Sequence, residues 1–327
     1  MFILKYRKLI LALTAIILVG SVVIIGKFGL KQSIDFTGGS LMEVSYEVLP
    51  EKPDLETKVS ELENTIDLGG FSVQEAKDET GRDGFMIRTK TLTEDERVIV
   101  TEAATSVGEG GEVSRFTSIG PVMGKELRDK AAWAVAGVTL IVVAYIAFAF
   151  AGIAKPVSSL IYGLVTIFVL IFDVLLPTTV ISIMGHTSGI EVDILFLTAL
   201  LAILGYSVNN TIVIIDRIRE NQIKHSIAKK VKPKAGEIRE ETEYVLQRPY
   251  DEIVGESVSQ TMGRTINTSI STLIVLCAIY FLGGEVTKIF TLTFLVGVLS
   301  GIFSSICTAN ALLVTYHYYQ LEQAKAE

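Results

Sequence analysis

The chain has 327 residues, half of them hydrophobic, with a formal net charge of -7 and a mean hydropathy of +0.49. It is too apolar for a soluble domain alone and fits a membrane protein that also carries a polar domain. The acidic balance argues against nucleic acid as a partner, since a phosphate-binding surface needs surplus Lys and Arg, and Cys277 and Cys307, both in apolar runs, offer neither a disulfide framework nor a thiolate metal centre.

Six apolar segments approach or exceed the roughly 20 residues that cross a hydrocarbon layer about 30 Å thick: 9–25, 132–150, 157–184, 194–215, 268–282 and 289–314, the fifth being short, with an earlier start through the polar residues near Arg264 left open. The first follows Lys5, Arg7 and Lys8 in the manner of a signal peptide. It is long for one and lacks a small-residue cleavage site, so an uncleaved helix is expected.

Between the first two helices lies a polar stretch, 28–130, that reads as a folded domain. Its elements are a strand at 40–48, a helix at 52–66, strands at 71–76 and 84–89 around a turn at 80–83, a helix at 93–107 and a strand at 112–118. That β-α-β-β-α-β order fits a ferredoxin-like split sandwich. The fold class is therefore a multi-pass α-helical membrane protein with six transmembrane helices and one α+β extracytoplasmic domain, its three parts being 1–27, 28–130 and 131–327. The fold alone does not say what the domain binds.

The second and third helices join at 151–156 with little loop and must be antiparallel neighbours. Lys5, Arg7, Lys8, Lys155, Arg217, Arg219, Lys224, Lys229, Lys230, Lys232 and Lys234 all fall on one side when the helices alternate. The positive-inside rule then places both termini in the cytosol and 27–130 outside. A long connection at about 217–263 reads as a solvated, partly helical cytosolic excursion. Its Lys cluster, followed by Glu237, Glu240, Glu241 and Glu243, is also a surface that anionic lipid heads would attract.

Polar groups inside the apolar spans are the candidates for chemistry. Asp173 lies about 25 Å from the cytosolic end of the third helix at 1.5 Å per residue, in the outer half of the hydrocarbon. It either specifies helix packing or carries function. The fourth helix holds Ser207, Asn209 and Asn210; Asn209 and Asp216 share a face two turns apart, and Ser207 and Asn210 are related by i, i+3. Arg264 stands at the entrance of the fifth helix before Thr265, Asn267, Thr268 and further small hydroxylated residues, which permit close helix contact. A fixed cation there could hold an anion or a water chain near the amides of the fourth helix.

No phosphate loop, HExxH zinc site or nucleophile elbow is present, and His186, His225 and His317 are scattered. Neither an enzyme nor a cofactor is expected.

Several motifs appear in a telling order: Asp35-Phe36-Thr37-Gly38-Gly39 after the first helix, Gly120-Pro121-Val122-Met123-Gly124-Lys125-Glu126-Leu127 before the second, and Asp173-Val174 in the third. Gly205-Tyr206-Ser207 and Asp216-Arg217-Ile218-Arg219-Glu220-Asn221 follow in the fourth, then Gln260-Thr261, Arg264-Thr265, Thr268-Ser269 and Phe281-Leu282-Gly283-Gly284 in the fifth. Together they resemble the SecF family of protein-export membrane subunits, within the resistance-nodulation-division superfamily. The resemblance implies a six-helix subunit of a prokaryotic cytoplasmic membrane that pairs with SecD beside the SecYEG channel. It also implies use of an ion gradient, that of protons, to help draw a translocating polypeptide outward. Two departures bear on that implication: Asn210 stands where the family usually has an aspartate, and asparagine cannot titrate, while Phe172 stands where relatives often have histidine. Two other readings stay open, a half-transporter of the same superfamily that exports lipid or small molecules and an intramembrane protease. The protease would need a second buried acid.

Overall fold

The computed structural model describes residues 5–77, 81–149, 157–231 and 241–326. Among them, six helices are long and apolar enough to cross a membrane. The first span, α1 (Arg7–Phe28), ends at Gly29 and leads into a one-turn helix, α2 (Ile34–Thr37), whose start is capped by the Ser33 hydroxyl accepting from the Asp35 amide.

The domain that follows has the expected element order. Strand β1 (Gly39–Ser45), α3 (Lys52–Leu62), β2 (Ser72–Lys77), β3 (Asp83–Thr89), α4 (Glu94–Thr105) and β4 (Glu112–Ile119) form a sheet ordered β2-β3-β1-β4, antiparallel throughout. Alternation explains the layers: Met42, Val44, Val73, Phe85 and Ile87 point to one face and bury against Leu55, Val59, Val100 and Ala104 of the two helices. Thr93 and Glu96 close a reciprocal capping box at the start of α4. The buried Tyr46 hydroxyl donates to the Ala104 carbonyl at 2.8 Å, and burial pushes its pKa up to about 12.

The remaining spans are α5 (Pro121–Ala149), α6 (Ser159–Ser188), α7 (Ile194–Lys224), α8 (Tyr250–Leu282) and a sixth formed by α9 (Glu285–Phe303), a π-helical turn at Ser304–Thr308 and α10 (Ala309–Ala326). Many of their apolar side chains face outward, as Trp133, Leu140, Phe148 and Phe281 do; inside, Tyr162, Val169, Ile214, Ile218 and Leu313 form an apolar core in which Thr166, Asp173, Ser207, Ser304 and Asn310 are also buried. Asp193 starts α7 by accepting from the Phe196 amide at 2.7 Å.

Two expectations need correction. The fifth helix begins at Tyr250 rather than at 268, because its first turns are amphipathic: Ile253, Val254 and Val258 are buried while Glu252 and Gln260 are exposed. With α7 reaching Lys224, the connection shrinks from 217–263 to 225–249. It contains no helix among the described residues but two antiparallel paired strands, β5 (Ser226–Val231) and β6 (Glu241–Leu246). The register sets Ser226 opposite Leu246 and Val231 opposite Glu241. Phe150, the join at 151–156 with Lys155, Thr80 of the turn, and Lys232, Lys234, Glu237 and Glu240 lie outside the described residues.

Candidate functional site

At the centre of the bundle, three helices converge on one carboxylate. Asp173 is 0% exposed and sits near the middle of the 30-residue α6, which at 1.5 Å per residue is about 45 Å long. The helix covers most of the apolar stretch 157–184 and extends four residues beyond its C-terminal end. The hydroxyls of Ser207 on α7 and Ser304 on the π turn both donate to Asp173 Oδ2, the latter at 2.8 Å.

The π turn has a local cause. A π turn leaves backbone carbonyls without their usual helical donors, and in hydrocarbon such groups must find partners within the protein. The Asn310 side-chain amide donates to the Ser305 and Ile306 carbonyls at 2.9 and 2.8 Å, and the Ser305 hydroxyl donates to the Gly301 carbonyl at 2.6 Å. Thr308 then meets Thr14 of the first span, their hydroxyl oxygens 3.0 Å apart.

The other expected residues divide by face. Asn210 and Thr211 are buried, with Asn210 Nδ2 and Thr211 Oγ1 lacking a protein partner among the described residues, as does Asp173 Oδ1. Asn209 is exposed, on the same side of α7 as Gly205 and Asp216. Arg264 and Thr268 are exposed on α8, where Thr268 merely donates to the Arg264 carbonyl at 3.0 Å. Asp173 and Ser207 are therefore brought together, whereas Asn209, Arg264 and Thr268 line the outside of the bundle.

The motif residues act as fasteners. Asp35 accepts from the Ile194 amide at the start of α7 at 3.1 Å, Phe36 packs on the cluster of Ile181, Val192 and Phe196, and the Thr37 hydroxyl donates to the Ser33 carbonyl. Gly38 and Gly39 have φ of 74° and 133°, and a Cβ on Gly124 would lie 2.6 Å from the Gly38 nitrogen; only glycine permits this approach of the two motifs. At the opposite end, Arg217 pairs with Glu220 at 2.8 Å, Arg219 is half-buried, and Asn221 donates to Ser257 and Gln260 at 2.8 and 3.0 Å. Beside them, Gln222 donates to the Tyr162 hydroxyl, which lies 2.9 Å from that of Tyr250.

Ser304 and Asn310 are the site residues that sequence reasoning passed over. The signal for them was Ser300, Gly301, Ser304 and Ser305 recurring at i, i+4 in an otherwise apolar run, the same kind of signal that drew attention to the fourth helix.

A ledge of charged groups lies where the sheet domain meets the bundle. Arg88 on β3 pairs with Glu191 at 2.6 Å and donates to the Gln32 carbonyl at 3.1 Å. Burial raises the pKa of Glu191 against the pull of Arg88 and Lys31, and burial likewise raises that of Asp193 against its capping bond.

The model of the SecD/SecF protein-export membrane protein C-terminal region matches residues 99–319, and that of the SecD/SecF GG motif matches 23–48. Among curated relatives, the protein translocase subunit SecF of Thermobaculum terrenum is 32% identical over 96% of this chain and 93% of its own. That of Anaerolinea thermophila is 34% identical over the same shares. The crystal structure of SecDF, a translocon-associated membrane protein from Thermus thermophilus, superposes with a TM-score of 0.74 at 29% identity, covering 96% of this chain and 38% of the longer one. A multi-pass chain with a GG motif and these relatives belongs to the SecD/SecF family of protein-export membrane proteins, on its SecF side.

Proposed function

We propose that the chain is a non-enzymatic accessory subunit of Sec-dependent export that pairs with a SecD-type subunit beside the SecYEG channel. It uses an ion gradient, of protons, to promote late translocation of a polypeptide. In this reading the bundle lies in a prokaryotic cytoplasmic membrane, with both termini in the cytosol and the sheet domain outside.

The observation that carries the reading is the fully buried carboxylate of Asp173, held by hydroxyls from two other spans. A serine hydroxyl donates to a carboxylate and accepts from a carboxylic acid. Gain or loss of a proton therefore reverses the bonds that join α6 to α7 and to the sixth span, which is a way to shift their packing. Asn210 cannot titrate, so within this chain proton carriage falls to Asp173.

Pairing has its own support. The polar stripe of Gly205, Asn209 and Asp216 on α7, with Gly263, Arg264, Asn267 and Thr268 on α8, is exposed in this chain, and such groups at membrane depth need cover by protein or water. The Thermus thermophilus relative is named SecDF and is nearly three times as long as the matched portion, which is 35% of it. A second half-bundle is the cover we propose.

The test is Asp173→Asn in vesicles with an imposed proton gradient. Gradient-dependent stimulation of export should drop to the level of vesicles lacking this subunit, with complex assembly intact. Full stimulation in that variant would sink the reading.

A further inference from the structure

The sheet domain touches the bundle along one rim and stands off elsewhere. The face of the sheet opposite its helices carries Leu41, Met86 and Arg115, and between it and the ends of α6 and α9 lies a cleft of about 540 Å³. At one edge of this gap both covalent connections cross, α2 into β1 and β4 into α5. There the backbones pack so closely that a Cβ on Gly38 would lie 2.8 Å from the Pro121 Cα. A covalent seam packed this closely at glycines cannot come apart, but it can act as a fulcrum.

A second attachment is of a different kind. Arg88 reaches across the cleft from β3 to Glu191, in the loop that joins α6 to α7, at 2.6 Å, with the two side chains only 23% and 19% exposed. That loop is itself fixed to the end of the first span: Ser33 N donates to the Val192 carbonyl at 2.9 Å and Val192 N to the Lys31 carbonyl at 2.7 Å. Asp35 further holds the Ile194 amide. As the five-residue covalent link between α6 and α7, the loop also follows any shift of the two helices that carry Asp173 and Ser207.

We propose that Arg88 and Glu191 form a releasable latch that sets the angle of the sheet domain on the bundle, so that a shift of α6 against α7 is passed to the domain as rotation about the glycine seam. Arg88 and Glu191 are positioning residues and touch no transported group. The cleft supplies the room for that rotation. A pair joined only by side chains is the natural point of release, whereas the seam is covalent. The use of this motion in export rests on the reading above; the latch itself does not.

The test uses the full chain with its partner subunit in lipid nanodiscs. Spin labels at Glu63→Cys on the domain and Gly284→Cys on the bundle, with Cys277 and Cys307 replaced by alanine, report the domain angle. The unaltered pair should give one narrow distance distribution. Arg88→Gln and Glu191→Gln should each broaden it and add a second population, and the exchanged pair R88E/E191R should restore the single one. Gradient-stimulated export should fall at least threefold in each single variant and recover in the exchanged pair. Unchanged distances in both single variants would overturn the latch, as would an exchanged pair that behaves like the singles. An Asp173→Asn variant with full stimulation would instead overturn the ion-coupling reading while leaving the distance result standing.

Discussion

The sheet domain and the helix bundle use the same residue types in opposite places. In the domain, Phe85, Ile87 and Leu55 are buried while its ion pairs, such as Lys52 with Glu56 and Lys77 with Asp83, lie at the surface. In the bundle, Trp133, Phe148 and Phe281 face outward and Asp173, Ser304 and Asn310 are fully buried. Water outside one and hydrocarbon outside the other account for the inversion. In water, burying apolar surface drives folding; among lipid chains that gain is absent, and close packing with satisfied polar groups holds helices together. The domain should therefore be most sensitive to lost volume and the bundle to lost hydrogen bonds.

The sharpest separation should come from Phe85→Ala. Truncating a buried phenylalanine costs about 3–5 kcal/mol. Hydrogen exchange on the detergent-solubilised chain should show protection lost across the four strands and retained in the spans. Loss of protection in α6 and α7 as well would mean that the two regions fold as one unit.

Asn310→Leu should act the other way. It keeps the volume roughly but strips two buried carbonyls of their donor, at about 1–3 kcal/mol. Thermal unfolding of the bundle should shift down while the domain stays in place. An unshifted bundle would show that the π turn does not depend on that amide.

Alkaline titration probes the domain alone. Burial lifts the Tyr46 pKa from 10.0 to about 12 in the folded state, so its contribution to stability is complete below pH 10 and is lost as pH rises to about 12. Tyr46→Phe should remove that component of the pH dependence and cost about 1 kcal/mol at neutral pH through the lost bond to Ala104. The smallest effect expected is that of Thr93→Ala, about 0.5–1 kcal/mol from the broken capping box, read as faster exchange in the first turn of α4 only.

How much was legible beforehand follows the same division. In the domain, period-2 alternation at 40–48 and 84–89 and the Thr93 to Glu96 spacing are local signals, and they yielded the element order and the sheet. In the membrane, apolar length found six spans but misplaced the start of the fifth, because Tyr250 through Met262 is amphipathic and reads as loop to a length criterion. The strand pair 226–231 and 241–246 was hidden by its charge: a Lys-rich run followed by a Glu-rich run signals solvation in either conformation, and only the pairing of one strand with the other decides between them.

Residue types and their spacing thus determined that the chain crosses a membrane six times, carries one split sandwich between the first two crossings, and places an acid and several amides within the apolar spans. Tertiary structure alone decided which of these meet. Asp173 and Ser304 are 131 residues apart, and no local pattern connects them. Neighbours on one helix, Asn209 and Asn210, part company because adjacent positions point about 100° apart, one into the bundle and one away from it. Which of two adjacent amides is buried depends on where the other helices stand, and that is a property of the packed chain.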